Sequence, residues 1–134
     1  MKIFRLEEAN ALLPIIRPML ERLVQRRRDH AIALLEAGVA RGFEPDEGGA
    51  ARALVREDQT RALRDEATRL VEAIQRHGCT LKDMDLGLVD FPALRGGQLV
   101  NLCWKMDEAQ VAFWHATDEG FASRKSLSRR RDAK

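Results

Sequence analysis

The chain has 134 residues, of which 45% are hydrophobic and 33% are charged, and its formal net charge is +2. This length suits one domain, and the composition excludes a wholly disordered chain. No apolar run approaches the roughly 20 residues that span a membrane, and the opening MKIFRLEEAN lacks the apolar core of a signal peptide. We therefore expect a soluble, cytoplasmic protein with no membrane partner.

The basic excess lies at the C-terminal end. Residues 124–134 contain six Lys or Arg residues and one Asp, a charge of +5, so residues 1–123 carry −3. Proteins that bind nucleic acid usually spread positive charge over a folded face. The pattern therefore disfavours nucleic acid as a partner and leaves it as an alternative through the tail alone. We expect residues 128–134 to form a disordered basic tail.

The first half of the chain predicts two long helices. Acidic residues open LEEANALL, where they favour the positive end of a helix dipole. Pro14 should end a short helix over 7–12 and start a long one, which Pro18 kinks or opens. Apolar residues then recur at helical spacing, interrupted by QRRRDH at 25–30. They are Ile16, Leu20, Leu23, Ala31, Leu34 and Leu35.

A glycine-rich segment, GVARGFEPDEGG at 38–49, predicts the break between the helices. The second helix should run from about Ala50 to His77, with Gly78 as a left-handed C-cap. Together they predict an antiparallel helical hairpin over 7–77. One hairpin cannot shield both flanks of its apolar stripe, so we expect a homodimer formed through the long helices.

Three segments after the helices predict strands, because they are rich in Val, Phe, Trp and Leu. They are LGLVDF at 86–91, which should end at Pro92, LVNLCWKM at 99–106, and VAFWHA at 111–116. The predicted fold class is α+β, with a long antiparallel helical hairpin packed on a small three-stranded antiparallel sheet. A single domain over 1–127 would contain a β-meander at 86–116.

Each predicted strand carries one residue that could bind a metal or act as an acid or base: Asp90, Cys103 and His115. Whether they share a face depends on the turn at 107–110. A two-residue turn places His115 on the Trp104 face, whereas a three-residue loop places it opposite Asn101 and beside Cys103. The sequence leaves both registers open.

No CxxC or HxxxH spacing supports a metal site. We therefore expect no metal, no cofactor and no catalytic residue, with Asp90, Cys103 and His115 as the weak candidates for a metal. The alternative is a small metal-assisted hydrolase that uses Asp90 and His115 with Cys103 or Glu108.

Adjacent residues in a strand point to opposite faces, so one of Trp114 and His115 should face the helices and the other should be a surface anchor. Arg124 is expected to pair with Asp118, Glu119 or Asp90. The sheet end is therefore the candidate binding surface, with six candidate residues: Asp90, Trp114, His115, Asp118, Glu119 and Arg124.

Two parts of the chain resemble a known family. The opening FRLEEANALLP and the segment GCTLKDMDLGLVDFPALRGGQLVNLCWKMDEAQVAFWHATDEGFASRKSL carry the likeness, in the order GLVDFP, LCW, WH, GF and R. The chain resembles an uncharacterised prokaryotic family, domain of unknown function 2203. The resemblance implies a shared fold and transfers no activity. Our leading hypothesis is a non-enzymatic homodimeric module that binds another protein.

Overall fold

The computed structural model describes the backbone of residues 1–43 and 49–127, and the side chains of 1–36 and 57–127. The predicted basic tail at 128–134 and residues 44–48 of the predicted break lie outside the described residues. Two helices precede the sheet: α1 (Leu6–Phe43) and α2 (Gly49–Gln75). The strands are β1 (Thr80–Asp83), β2 (Leu88–Arg95), β3 (Gln98–Lys105), β4 (Phe113–Ala116) and β5 (Lys125–Ser126). The predicted α+β class is confirmed.

Helix α1 is continuous, so the predicted restart at Pro14 is wrong. Its start is stabilised by Glu8, whose Oε1 accepts a hydrogen bond from the Arg5 backbone N–H at 2.8 Å, one half of a capping box. Pro14 and Pro18 lie inside the helix, four residues apart and both exposed. The backbone bonds that the prolines remove therefore lie beside solvent, and the helix continues past them to Phe43.

The two helices are tied together by Glu66 of α2. Its carboxylate accepts a hydrogen bond from Arg22 at 2.6 Å and lies 3.1 Å from the Nε atom of Arg26. Part of the arginine-rich stretch is therefore paired with acids. Helix α2 ends as predicted at a left-handed glycine, because Gly78 has φ +101° and its N–H donates to Gln75 O at 3.0 Å.

The sheet is antiparallel with five strands in the order β1-β2-β3-β4-β5, so the prediction of three strands is wrong. The two additional strands are the edge strands β1 and β5, with sequences TLKD and KS. These segments have few of the β-branched and aromatic residues that mark strands. They become strands because a neighbouring strand offers a free edge.

Strand β2 continues through Pro92, where the sequence predicted its end. Pro92 stands opposite Asn101 of β3, and its carbonyl accepts a hydrogen bond from the Phe4 N–H at 2.6 Å. In an antiparallel strand the nitrogen and carbonyl of one residue point to the same side. The Pro92 nitrogen therefore points away from β3, past the end of β1, and no hydrogen bond of the β2–β3 ladder is lost.

The core lies between the first half of α1, the end of α2 and one face of the sheet. Its largest fully buried side chains include Ile16, Leu20, Ile74, Phe91 and Trp104. The second half of the apolar stripe on α1 is exposed. No helix among the described residues combines the length and the apolar character that crossing a bilayer requires.

Candidate functional site

Asp90, Cys103 and His115 lie on one face of the sheet, on three neighbouring strands. Asp90 stands opposite Cys103 and His115 stands opposite Asn101. Because Asn101 and Cys103 are two residues apart, their side chains share a face. This is the second of the two registers that the sequence left open. The connection between β3 and β4 covers residues 106–112 and is longer than either turn considered.

Helix α1 holds that connection in place. The guanidinium group of Arg17 donates to the carbonyl oxygens of Met106 at 2.6 Å and Glu108 at 3.2 Å. The Asn10 side chain accepts a hydrogen bond from the Val111 N–H at 2.7 Å. These contacts join residues about 90 to 100 positions apart. The register of β4 therefore depends on tertiary contacts and not on a local turn.

The three side chains are almost completely buried: Asp90 is 2% exposed, Cys103 is 1% and His115 is 3%. Nε2 of His115 lies 3.2 Å from Oδ1 and 3.1 Å from Oδ2 of Asp90. One potential ligand atom from each of the three residues falls within 4.8 Å of the others. The side-chain types and the spacing suit a metal ion or a shared proton.

The position of the protons on His115 follows from its second nitrogen. Nδ1 lies 2.8 Å from the carbonyl oxygen of Ala116, which can only accept a hydrogen bond, so Nδ1 carries a proton. In the neutral ring Nε2 therefore has only a lone pair, and this lone pair faces the lone pairs of the Asp90 carboxylate. Two lone pairs at this distance repel each other, so either a second proton or a cation must lie between them.

Cys103 is not an activated nucleophile. Burial raises the pKa of its thiol to about 11, and the negative charge of Asp90 adds to this effect, whereas Arg124 opposes it. The thiolate is the reactive form of cysteine, and little of it exists at neutral pH in such surroundings. The cluster therefore does not favour covalent catalysis by Cys103.

Arg124 pairs with Glu108, so the predicted pairing with Asp118, Glu119 or Asp90 is wrong. Its two Nη atoms donate to the two carboxylate oxygens of Glu108 at 3.0 Å and 2.8 Å. The guanidinium carbon also lies 4.0 Å from the ring centroid of Phe113. Both members of the pair are mostly shielded from solvent, with side chains 13% and 22% exposed. The sequence names Glu108 only as a residue of the hydrolase alternative.

Trp114 stands opposite Leu102, on the face that carries the main core, and is half-buried. Two adjoining open hollows of about 530 Å³ and about 470 Å³ meet at this residue and share Gln98, Val100 and Trp114. Two cations flank the indole: the guanidinium carbon of Arg95 at 4.6 Å and Nζ of Lys125 at 4.8 Å from the ring centroid. We call these two hollows together the Trp114 groove.

The structure divides the predicted binding surface in two. Asp90 and His115 are buried in the cluster on one face, while Trp114 and Glu119 line the groove on the other. Glu119 accepts hydrogen bonds from Lys125 at 2.9 Å and the Ala116 N–H at 3.0 Å. The backbone bond from Ala116, followed by the Lys125 contact, lowers the pKa of Glu119. Asp118 is exposed and belongs neither to the buried cluster nor to the residues that line the groove.

Arg95 and Gln98 were missed as binding residues, although the sequence contained a signal for them. Gly96 and Gly97 have φ of +57° and +81°, the conformation of a two-residue hairpin turn, and Arg95 pairs with Gln98 across it. The letters RGGQ therefore place both side chains at the tip of the β2–β3 hairpin. Lys125 had no such signal because it was grouped with the basic tail.

Comparisons with known proteins give the family and nothing about activity. No curated protein and no solved structure matches the chain. One family model, described as an uncharacterized conserved protein, matches residues 2–127. The match covers nearly the whole chain, including both helices and all five strands, and confirms the resemblance seen in the two motif-bearing segments. The chain belongs to the family of uncharacterized conserved proteins DUF2203.

Proposed function

We propose that this chain is a non-enzymatic, homodimeric binding module whose recognition surface is the Trp114 groove. The observation that carries the proposal is an indole flanked by Arg95 and Lys125 at 4.6 Å and 4.8 Å within an open hollow. Tryptophan and arginine are enriched among the residues that dominate protein interfaces. A partially covered indole also keeps apolar area available for a partner.

The partner we propose is an acidic segment of another protein. Residues 1–123 carry a net charge of −3, yet Arg95 lines the groove. The second cation there, Lys125, already pairs with Glu119 at 2.9 Å, so Arg95 is the charge that an acidic partner would meet. Carboxylates of a partner would gain charge-assisted hydrogen bonds there. Leu99, which is 41% exposed and lines the second hollow, provides apolar contact area for a leucine or aromatic side chain.

The burial of the polar cluster argues against the hydrolase alternative. A hydrolase must bring water and substrate to its reacting groups. Asp90, Cys103 and His115 are each no more than 3% exposed, and none of them lines the two hollows of the Trp114 groove. A binding role at the open groove needs no such access to the buried groups.

Nuclear magnetic resonance titration tests the groove. We would add a glutamate-rich peptide with one leucine to the ¹⁵N-labelled protein and follow the Trp114 indole N–H and the amides of residues 95–100. We expect saturable shifts at these positions. Arg95→Glu should abolish the shifts, whereas Arg64→Glu, which reverses an exposed arginine on α2, should leave them unchanged.

A lysine-for-glutamate version of the peptide is the control for charge. Equal shifts with both peptides would show that charge complementarity does not select the ligand, and would refute the acidic partner. Shifts confined to residues outside the groove, or the absence of any shift at millimolar peptide, would refute the groove as the recognition surface.

The proposed dimer rests on the uncovered half of α1. Leu34 and Leu35 are 50% and 70% exposed, although they continue the apolar stripe that is buried nearer the sheet. A second copy would cover these side chains and remove apolar surface from water. The antiparallel hairpin of α1 and α2, and a cytoplasmic location suited to two free cysteines, belong to the same proposal.

Sedimentation equilibrium at micromolar concentration tests the dimer. The monomer has a mass of 15.2 kDa, and we expect twice that for the wild type. Leu34→Glu should give the monomer. Ile15→Glu is the matched control, because Ile15 is also on α1, lies off the stripe and is 52% exposed, against 50% for Leu34. A wild-type monomer, or equal dissociation by both variants, would contradict the interface.

A further inference from the structure

The cluster on the sheet face opposite the Trp114 groove has the features of a metal site. We propose that Asp90, Cys103 and His115 bind one transition-metal dication of the zinc class, which joins β2, β3 and β4. This proposal departs from the expectation drawn from sequence spacing, which looked for ligands close together along the chain. Here each strand supplies one ligand, and the nearest two are 12 residues apart.

The chemistry of the donors selects the class of metal. An imidazole, a thiol and a carboxylate form the mixed ligand set that suits Zn²⁺, whereas Mg²⁺ and Ca²⁺ prefer oxygen ligands alone. In a tetrahedral zinc site with bonds of about 2.0 Å, nitrogen and oxygen ligands lie roughly 3.3 Å apart. Nε2 of His115 lies at 3.2 Å and 3.1 Å from the two oxygens of Asp90.

The orientation of His115 provides independent support. Its Nδ1–H donates to the Ala116 carbonyl at 2.8 Å, which fixes the ring and directs the Nε2 lone pair at the other two ligands. A metal-bound histidine almost always donates its other N–H to a carbonyl or a carboxylate in this way. The backbone of β4 therefore holds the tautomer that metal binding requires.

The carboxylate of Asp90 faces His115 symmetrically. Its two oxygens lie at nearly the same distance from Nε2, whereas a single hydrogen bond usually selects one oxygen. Either oxygen is therefore placed to contact an ion between the residues. Each of the three residues offers one ligand atom, so a four-coordinate ion would keep one further position. The burial of all three side chains closes that position to substrate, in agreement with the non-enzymatic function proposed above.

The charges also balance when the ion is bound. A thiolate and a carboxylate beside a neutral imidazole carry −2, which a dication neutralises inside a region where unpaired charge is costly. Arg124 lies close to Cys103 but forms its bidentate pair with Glu108, so its charge is already compensated. Metal binding releases the thiol proton of Cys103, because the thiolate is the form of cysteine that binds a metal.

Cobalt substitution tests the proposal. We would purify the chain without an affinity tag, remove metals with a chelator, and titrate the folded protein with Co²⁺. A thiolate ligand gives a sulfur-to-cobalt charge-transfer band in the near ultraviolet. We expect this band to saturate at one equivalent per chain, and Zn²⁺ to displace it.

Two cysteine variants separate this site from incidental binding. Cys103→Ser should lose the charge-transfer band. Cys79→Ser should keep it, because Cys79 is also buried and free, but its thiol lies against the Ile74 carbonyl and is not a member of the Asp90, Cys103 and His115 cluster. An equal band in Cys103→Ser, or Co²⁺ bound by the wild type without the band, would overturn the proposal. So would a folded wild type that takes up no Co²⁺.

Thermal stability provides a second readout that does not depend on cobalt spectra. An ion that binds only the folded chain raises the melting temperature. Zn²⁺ should raise it in the wild type and in Cys79→Ser, and should leave Cys103→Ser unchanged. Equal shifts in all three proteins would place the bound ion elsewhere and refute the site. Neither experiment involves the Trp114 groove, so the proposed metal site and the proposed recognition surface can be refuted independently.

Discussion

Asp90 and His115 are joined across the middle strand of the sheet: Asp90 is on β2, His115 is on β4, and β3 lies between them. The two side chains reach over Cys103 of β3, and both are buried. A contact of this kind exists only if three strands have the correct register. The contact between Asp90 and His115 therefore depends on the register of β2, β3 and β4.

The coupling between these two residues can be measured in the metal-free protein. His115→Leu should lower the free energy of unfolding by about 3–5 kcal/mol, because it leaves a buried carboxyl group without its partner. The double variant, Asp90→Leu with His115→Leu, should lose at least about 1 kcal/mol less of the free energy of unfolding than the two single variants lose together. Urea unfolding of the four proteins gives the coupling energy.

A matched cycle serves as the control for this first prediction. Glu66→Ala on α2 combined with His115→Leu should be additive within about 0.5 kcal/mol, since Glu66 binds Arg22 and Arg26 and neither of them contacts the cluster. Full additivity of the Asp90 and His115 changes would contradict the interaction between them.

The bidentate geometry of Arg124 predicts a difference between arginine and lysine. Arg124→Lys keeps the charge but cannot form both parallel hydrogen bonds to Glu108, so it should destabilise the fold by about 1–2 kcal/mol. Lys125→Ala removes an ion pair that is largely exposed, and should change stability by less than about 1 kcal/mol. Chemical denaturation compares the two. If Arg124→Lys leaves the free energy of unfolding unchanged, the second hydrogen bond has no structural role.

Burial of Cys79 predicts a loss of stability at alkaline pH. Burial raises the pKa of this thiol from 9.0 to about 11, so the folded state holds the proton more tightly than the unfolded state. The contribution of the protonated Cys79 thiol to the free energy of unfolding is fully present below pH 9 and is lost as pH rises through about 11. Between pH 8 and pH 11 the wild type should lose about 2 kcal/mol more than Cys79→Ala. Equal slopes for both proteins would show that the thiol does not titrate in this way.

Gly78 should tolerate no side chain. It has φ +101°, and an added Cβ would lie 2.9 Å from Cβ of Lys2, so Gly78→Ala should lower the free energy of unfolding by more than about 1 kcal/mol. Gly120→Ala is the matched control, because Gly120 has φ −135° and an added Cβ would meet no atom within 4 Å. Differential scanning calorimetry should show a lower melting temperature for the first variant only.

Local patterns in the sequence determined much of the fold. The 3.6-residue spacing of Ile16, Leu20 and Leu23 predicted the helical face that the core buries. The Val, Phe, Trp and Leu residues of 86–91, 99–106 and 111–116 predicted three strands, and Gly78 marked the end of α2. These predictions were correct because each depends on side chains or dihedral angles within a few residues of one another.

Other features required the tertiary structure. Pro14 predicts a helix break because its local effect is unfavourable, and only the packing of α1 shows that this face of the helix is solvated. The polar segment TLKD becomes a strand because β2 offers it an edge. In both cases the determining interaction is absent from the local sequence.

The candidate site shows the same division most clearly. The sequence named Asp90, Cys103 and His115, and it showed that either of two registers was possible. Which register forms depends on Arg17 and Asn10 of α1, which hold the connection between β3 and β4 from about 90 to 100 residues away. A shift of one residue would turn His115 to the opposite face. The residue types come from the sequence, and the long-range hydrogen bonds bring them together.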